Sequence, residues 1–433
     1  WPCLRGAALL ASGDVKILYL SQSGVVGGAE RVILDLAAVL RTIRPTWKLA
    51  LIAPAAGALE ETARALGIAT TILPFPTSLA RLGDASVADS GGRSGRAWWR
   101  LTASLGASSP ALVCYLRRLR RTIAAIQPHL LHANGFKMHL LGARTVPDQT
   151  ALLWHLHDYL GPRPLMAPLL RIALRRCHAI VANSQSVAAD AHATLRGSIS
   201  IRTVYNGVDL ARFTPAGPRL DLDAGASLGP ATPGFVRVGM LATAARWKGH
   251  EVFLRALALL PAGLPVRGYV IGGPIYVTDG SQFATNELSA MAAGLGLAGK
   301  VGFTGQLEDS AAALRSLDIV VHPSTRPEPF GLVVAEAMAS GRAVITSGIG
   351  GVAELIEGDR TALICRPNDA PSLAGAIERL ALDAKLRERL GGAGRSTAVR
   401  RFDRQRMGAE LAAIYEDLIK ARERRENATA ARS

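Results

Sequence analysis

Residues 321–355, VHPSTRPEPFGLVVAEAMASGRAVITSGIGGVAEL, run without interruption through a strand, a loop, a helix and a second strand. A short apolar run ends in a Pro-containing loop, Pro-Phe-Gly opens an apolar helical run, and VITS leads into the turn Gly350-Gly351. Such a unit belongs to a parallel sheet, because parallel neighbours can be joined only by a crossover. The same alternation recurs. VKILYL (15–20), KLALIA, TTIL, HLLHA, ALLWHLH and AIVANS alternate with helical or loop segments as far as VYNGVDLARF (204–213). A second series runs through FVRVGM (235–240), RGYVIGG, KVGFTG, LDIVVHP, AVITS and TALICRP. The expected class is α/β, with two doubly wound sheets. Between the series lies FTPAGPRLDLDAGASLGPATPGF, whose Pro, Gly and Ala content reads as a linker. The chain divides into a tail (1–14), a first domain (15–212), a hinge (213–234), a second domain (235–400) and a charged terminal helix and tail (401–433). No short-period repeat is visible.

An apolar fraction of 49% suits sizeable α/β cores. Cys3, Cys114, Cys177 and Cys365 are scattered with no C-x-x-C spacing, so neither a metal site nor a disulfide framework is indicated, and a reducing compartment is favoured. No apolar run is long enough for a membrane span. The net charge of +16 favours anionic ligands. Part of it is local: from Arg81 to Arg121 eight arginines face two aspartates, beside Trp98-Trp99 and YLRRLRRTIAAI. That combination fits peripheral contact with an anionic membrane surface, or else an ordinary solvated basic helix. No nucleic-acid module accompanies the charge, so nucleic acid is not an expected partner.

The chemistry concentrates where strands end in glycine turns. Unpaired amides from about Phe330 to Val333, through Gly331 and Leu332, would face an anion. Glu328 in the loop and Glu336 in the helix stand eight positions apart and offer carboxylates to hydroxyl groups. Amides for phosphate and carboxylates for hydroxyls together suit a nucleotide-sugar. In LATAARWKGHEV, Lys248 followed by Gly249 places an ammonium where backbone can approach a diphosphate. Gly272-Gly273 and Gly27-Gly28 form further turns of this kind; the latter is neither a G-x-G-x-x-G fingerprint nor a Walker loop. WHLHDYL puts His155 and His157 on one strand face. Asn134 and Lys137 sit at a strand-to-helix turn on the same rim.

PEPFGLVVAEAMASG, with the strand and GG-x-x-E turn that follow, resembles the E-x7-E signature of glycosyltransferase family 4, retaining enzymes of the GT-B fold. The resemblance is close over about 235–402 and looser before it. It implies two Rossmann-like domains facing across a cleft, with the last helix crossing back to the first. It implies Lys248 at the diphosphate, Glu328 at the donor sugar, Glu336 at the ribose and His157 near the reacting carbon. Thr304-Gly305, in VGFTGQLEDS, matches the stretch that holds the base through main chain, and Gly272-Gly273 and Gly27-Gly28 match turns that approach the donor. Asn134 and Lys137 are candidate acceptor contacts. Many family members carry an arginine where this chain has Thr243; Arg246 is the candidate replacement. No cofactor is implied, and the donor is UDP- or GDP-linked. The single D-x-D, Asp221-Leu222-Asp223, lies in the linker, so a metal-chelating pair is not indicated. The expected activity is metal-independent, retaining transfer of a hexose-type sugar to a glycan, lipid-linked or small-molecule acceptor in cell-surface polysaccharide synthesis. The expected location is cytoplasmic, at the inner face of the membrane. The alternatives are a catalytically silent nucleotide-sugar binder and an epimerase on the same fold.

Overall fold

The computed structural model describes residues 15–76, 109–230, 234–274 and 282–430. Seven strands, β1 (Lys16–Leu20), β2 (Lys48–Ala53), β3 (Ala69–Ile72), β4 (Leu130–Asn134), β5 (Ala151–Leu156), β6 (Ala179–Ala182) and β7 (Ile201–Thr203), form the first sheet. Six more form the second: β8 (Val236–Leu241), β9 (Val266–Ile271), β10 (Val301–Gly305), β11 (Ile319–His322), β12 (Ala343–Thr346) and β13 (Leu363–Ile364). The orders are β3-β2-β1-β4-β5-β6-β7 and β10-β9-β8-β11-β12-β13, with every pairing parallel. Chain order reverses between β1 and β4 and again between β8 and β11. Such switch points open a crevice at the carboxyl ends of the strands. β7 is short and only partly buried, and no sequence signal marked it.

Each sheet buries mainly apolar side chains on both faces, as parallel strands covered by helices do. On one face of the first sheet, Ile17, Tyr19, Leu51 and Leu153 pack against Val32, Leu36 and Leu40 of helix Gly28–Ile43. The other face packs Leu18, Leu131 and Trp154 against Leu119, Leu141 and Leu170.

The terminal helix expected over 401–433 begins at Arg404, after a separate helix, Ala384–Arg401. Helix Ala384–Arg401 packs Leu386 and Leu390 into the second domain, and Phe402 is fully buried there. Helix Arg404–Ala430 then returns to the first domain, adding Met407, Leu411, Tyr415 and Ile419 to the core under helix Gly28–Ile43. The two passages between domains touch. Val208 N–H donates to Phe402 O at 2.6 Å and Arg404 N–H to Val208 O at 3.1 Å. Arg404 also pairs with Asp35 at 3.2 Å and Asp209 at 2.8 Å. A side chain on Gly207 would place Cβ 2.3 Å from Arg404 Cα, so only glycine allows this approach.

The segment 213–234, expected to be a hinge, is anchored along its described part to the second domain. Phe213 and Leu222 are buried in its core. Asp221 caps the short helix Leu222–Gly225. Asp223 binds Arg267 at 2.7 Å, Arg237 at 3.2 Å and the Tyr269 hydroxyl at 2.6 Å. Burial alone would raise the Asp223 carboxyl, but these three donors bring it down to about 2. The D-x-D carboxylates are thus used in folding this segment.

Candidate active site

The second domain builds its part of the site where β8, β9 and β11 end. After β8 the chain makes a single tight helical turn, Arg246–Lys248, and Gly249 follows at φ 86°. A Cβ there would lie 2.1 Å from Pro323 O, so glycine is needed both for the dihedral and for the contact. This turn aims Lys248 at the loop after β11. Lys248 Nζ donates to both oxygens of Glu328, at 2.7 and 3.0 Å. Ser324 Oγ donates to Glu328 Oε2 at 3.2 Å, and His322 Nε2 lies 3.3 Å from it. Burial pushes the Glu328 carboxyl up, yet the Lys248 ammonium and His322 overcome this and hold it far below the usual carboxylate range. The site therefore contains an ionised carboxylate beside a half-buried cation.

Helix Leu332–Ala339 starts one turn later, from Gly331 in the left-handed region at φ 88°. Its amino end lies beside the Lys248–Glu328 pair, and amide dipoles there favour an anion. Glu336 sits on the buried side of this helix. Burial pushes its carboxyl up to about 8; the nearby charges are Arg31, Asp35 and Arg212. Arg31 and Asp35 come from the first domain, so Glu336 looks across the cleft. A Cβ on Gly272 (φ 118°) would lie 2.1 Å from Ala242 O, and its N–H donates to Gly305 O at 2.8 Å. The Gly272-Gly273 and Thr304-Gly305 turns are thereby neighbours.

Arg246 points elsewhere. Its guanidinium binds Glu287 at 2.9 and 3.1 Å and lies over the Phe283 ring at 4.3 Å. Thr243 contributes no cation. Arg31 was not singled out from the sequence, although it lies in the first turn of the helix that Gly27 caps.

On the first domain, His157 follows β5 and its Nε2–H donates to Asn134 Oδ1 at 2.9 Å. Burial lowers the His157 imidazole to about 3, so the ring is neutral near pH 7. Gly27 N–H donates to Glu30 Oε2 at 3.2 Å, and a side chain on Gly28 would meet open space. Lys137 lies 5.8 Å from the Phe75 ring centroid, with burial lowering its ammonium. His155 is fully enclosed. The turn Gly24–Gly28 lies at the end of β1, beside β4 with Asn134, so these candidates share one rim.

The domains also meet behind the carboxylate. Tyr159 O–H donates to Glu328 O at 3.2 Å, and Gly351 N–H donates to the Tyr159 oxygen at 3.3 Å. Glu354 accepts from Gln185 N–H at 2.9 Å and Ser186 N–H at 2.8 Å. It caps a first-domain helix from the second domain, adding to the Ser184 cap of that helix.

Two family models cover most of the chain, glycosyltransferase family 4 over residues 26–212 and glycosyl transferases group 1 over residues 234–397. The D-inositol 3-phosphate glycosyltransferase of Jonesia denitrificans is 30% identical over 334 residues, spanning 71% of this chain and 77% of that protein. The chain belongs to glycosyltransferase family 4. Its fold is GT-B and it is a glycosyltransferase. The lipopolysaccharide core biosynthesis mannosyltransferase LpcC of Rhizobium leguminosarum is 32% identical, over 50% of this chain and 59% of its own length. Among solved structures, Anabaena HepE in complex with UDP is 25% identical with a TM-score of 0.72, over 93% of this chain and 100% of that one. Glu328, Lys248 and the amino end of helix Leu332–Ala339 stand together in this family member, while Arg246 stands apart on Glu287.

Proposed function

We propose that the protein moves a hexose-type sugar from a UDP- or GDP-sugar to a glycan, lipid-linked or small-molecule acceptor, with retention of configuration and without a metal. The observation that carries this reading is the partly buried Lys248–Glu328 pair at the amino end of helix Leu332–Ala339. Breaking a bond from an anomeric carbon to a diphosphate puts charge on the leaving group. Lys248 and the helix amides are placed to take that charge, and Glu328 to accept hydroxyls of the sugar. Glu336, facing the cleft, would hold the ribose hydroxyls, and a neutral His157 would line the sugar near the reacting carbon. Asn134 and Lys137 would face the acceptor. Arg246 would join the diphosphate only by leaving Glu287. The crystallised UDP complex of Anabaena HepE supports a uridine donor. The lipopolysaccharide relative supports a surface glycan as acceptor.

The site is to be tested by Lys248→Ala and Glu336→Ala, each expected to cut sugar transfer at least ~100-fold, or ~2.7 kcal/mol. Near-normal transfer in both would overturn it. Thermal shifts with UDP, GDP and their sugars, without added metal, identify the donor base. Binding without turnover would favour the silent reading, and the anomer of the product, read by proton NMR, decides retention.

The proposal extends to the surface of the first domain. Of the basic segment 81–121, residues 81–108 lie outside the described residues. Helix Ser109–Ile126 exposes Arg117, Arg118, Arg120 and Arg121. Helix Met166–Ala173 and the turn after it expose Leu169, Ile172, Arg171 and Arg175. Cations mixed with exposed aliphatic side chains fit an anionic lipid surface, which would set the enzyme at the inner face of the cytoplasmic membrane. No described helix is long and apolar enough to cross one.

A further inference from the structure

A file of buried polar side chains runs under the crossing helix toward the candidate site. Tyr415, on helix Arg404–Ala430, places its hydroxyl against Nδ1 of His132 on β4. His132 Nε2 lies 3.2 Å from Nδ1 of His155 on β5. The His155 ring is 4.0 Å, centroid to centroid, from His157, which in turn holds Asn134. Tyr19 of β1 flanks the file with its ring 5.3 Å from His132. Tyr415, His132, His155 and Asn134 are all at most 1% exposed.

The surroundings are apolar: Trp47, Leu411, Ile419 and Leu153. Aliphatic side chains would fill such strand positions without the desolvation penalty of polar rings. Tyr415, His132 and His155 instead pair with one another in series. Burial lowers His132 to about 3 and His155 well below its ordinary value, so each ring is neutral and carries one proton. When Tyr415 O–H donates to His132 Nδ1, the His132 proton is placed on Nε2. That N–H then donates to His155 Nδ1, which places the His155 proton on its own Nε2. At this end the file has unspent capacity: His155 Nε2 and Asn134 Nδ2 have no partner among the described residues. Both atoms belong to residues in contact with His157. The two hydrogen bonds of the file fix the tautomers of His132 and His155, and His155 then holds His157 by ring contact rather than by a hydrogen bond.

We propose that Tyr415 is a positioning residue for sugar transfer, holding the His157 imidazole in place through His132 and His155. The helix that crosses back from the second domain thereby completes the sugar end of the first. This inference rests on the proposed role of His157 at the donor sugar.

Tyr415→Phe keeps the ring and removes only the hydroxyl. The expected result is a fall in kcat of about 10-fold with the thermal shift produced by UDP unchanged, since the nucleotide is held by the other domain. Tyr415→Phe should add nothing to the loss caused by His157→Ala, because a shared pathway makes the two non-additive. Ring 15N–1H correlation spectra should show His132 losing its single tautomer. Leu411→Ala, on the same helix but outside the file, should leave kcat unchanged while lowering the melting temperature. If Tyr415→Phe does not fold, His132→Gln interrupts the file at its middle and is held to the same non-additivity. Independent, multiplying losses, or an equal loss of kcat in Leu411→Ala, would overturn the proposal. So would normal transfer by His157→Ala, with Lys248→Ala still inactive. Normal transfer by Lys248→Ala and Glu336→Ala would instead remove the donor-site reading itself.

Discussion

The carboxylates of the E-x7-E pair, eight residues apart, titrate in opposite directions. Glu328 is buried against a cation and stays ionised. Glu336 is buried without one in contact and rises to about 8. A carboxyl raised in the folded state stabilises the fold fully below its ordinary value of about 4.5, and that contribution is lost as pH rises through the folded value near 8. Glu336→Gln is permanently neutral. Its melting temperature should match that of the parent near pH 4.5 and exceed it by at least ~2 °C at pH 9. An offset independent of pH would show that Glu336 is not neutral in the free enzyme. Lys248, Glu328 and Glu336 could be read from the sequence because each lies within a few residues of the glycine that positions it. The fate of Arg246 could not, because its partner Glu287 lies 41 residues away and no local pattern joins them.

At the scale of elements, most strands were legible as apolar, β-branched runs bounded by glycine turns. The failures have physical causes. Pro and Gly made 213–234 resemble loose chain, whereas Phe213, Leu222 and Asp223 pin its described part to the second domain. The terminal helix was legible from its charge, but the break just before Arg404 was not, because charged residues run through it. The interruption comes from Phe402, whose burial in the second domain turns the chain before Arg404. Helix Ser109–Ile126 was expected as basic and amphipathic, and it carries four exposed arginines over buried Tyr115, Leu119 and Ile123. Reversing Arg117, Arg118, Arg120 and Arg121 to Glu should reduce binding to phosphatidylglycerol-containing vesicles at least ~10-fold, taking ~1 kcal/mol per cation near an anionic surface. Transfer to a soluble acceptor should be unchanged. Equal vesicle binding by the parent and the variant would exclude this helix as the contact.

For the molecule as a whole, buried imidazoles are unevenly shared. His132, His139 and His157 are lowered by burial to about 3, and His178 to about 4, all within the first domain. Among the described residues of the second domain, His250 is lowered to about 4. A base lowered in the fold binds protons more readily when unfolded, so stability falls as pH drops below about 6.5. The first domain should lose stability ahead of the second between pH 6.5 and 4, seen by calorimetry as a splitting of the unfolding transition. A single transition that merely shifts would mean that the crossing helix makes the domains unfold together. Tyr159 reaches from the first domain to the backbone of Glu328, and Glu354 reaches back from the second. The loop carrying Glu328 therefore has one footing in each half of the enzyme. A swing that parts the halves has to break the Tyr159 contact with that loop, so the Glu328 backbone registers how far the jaws stand apart.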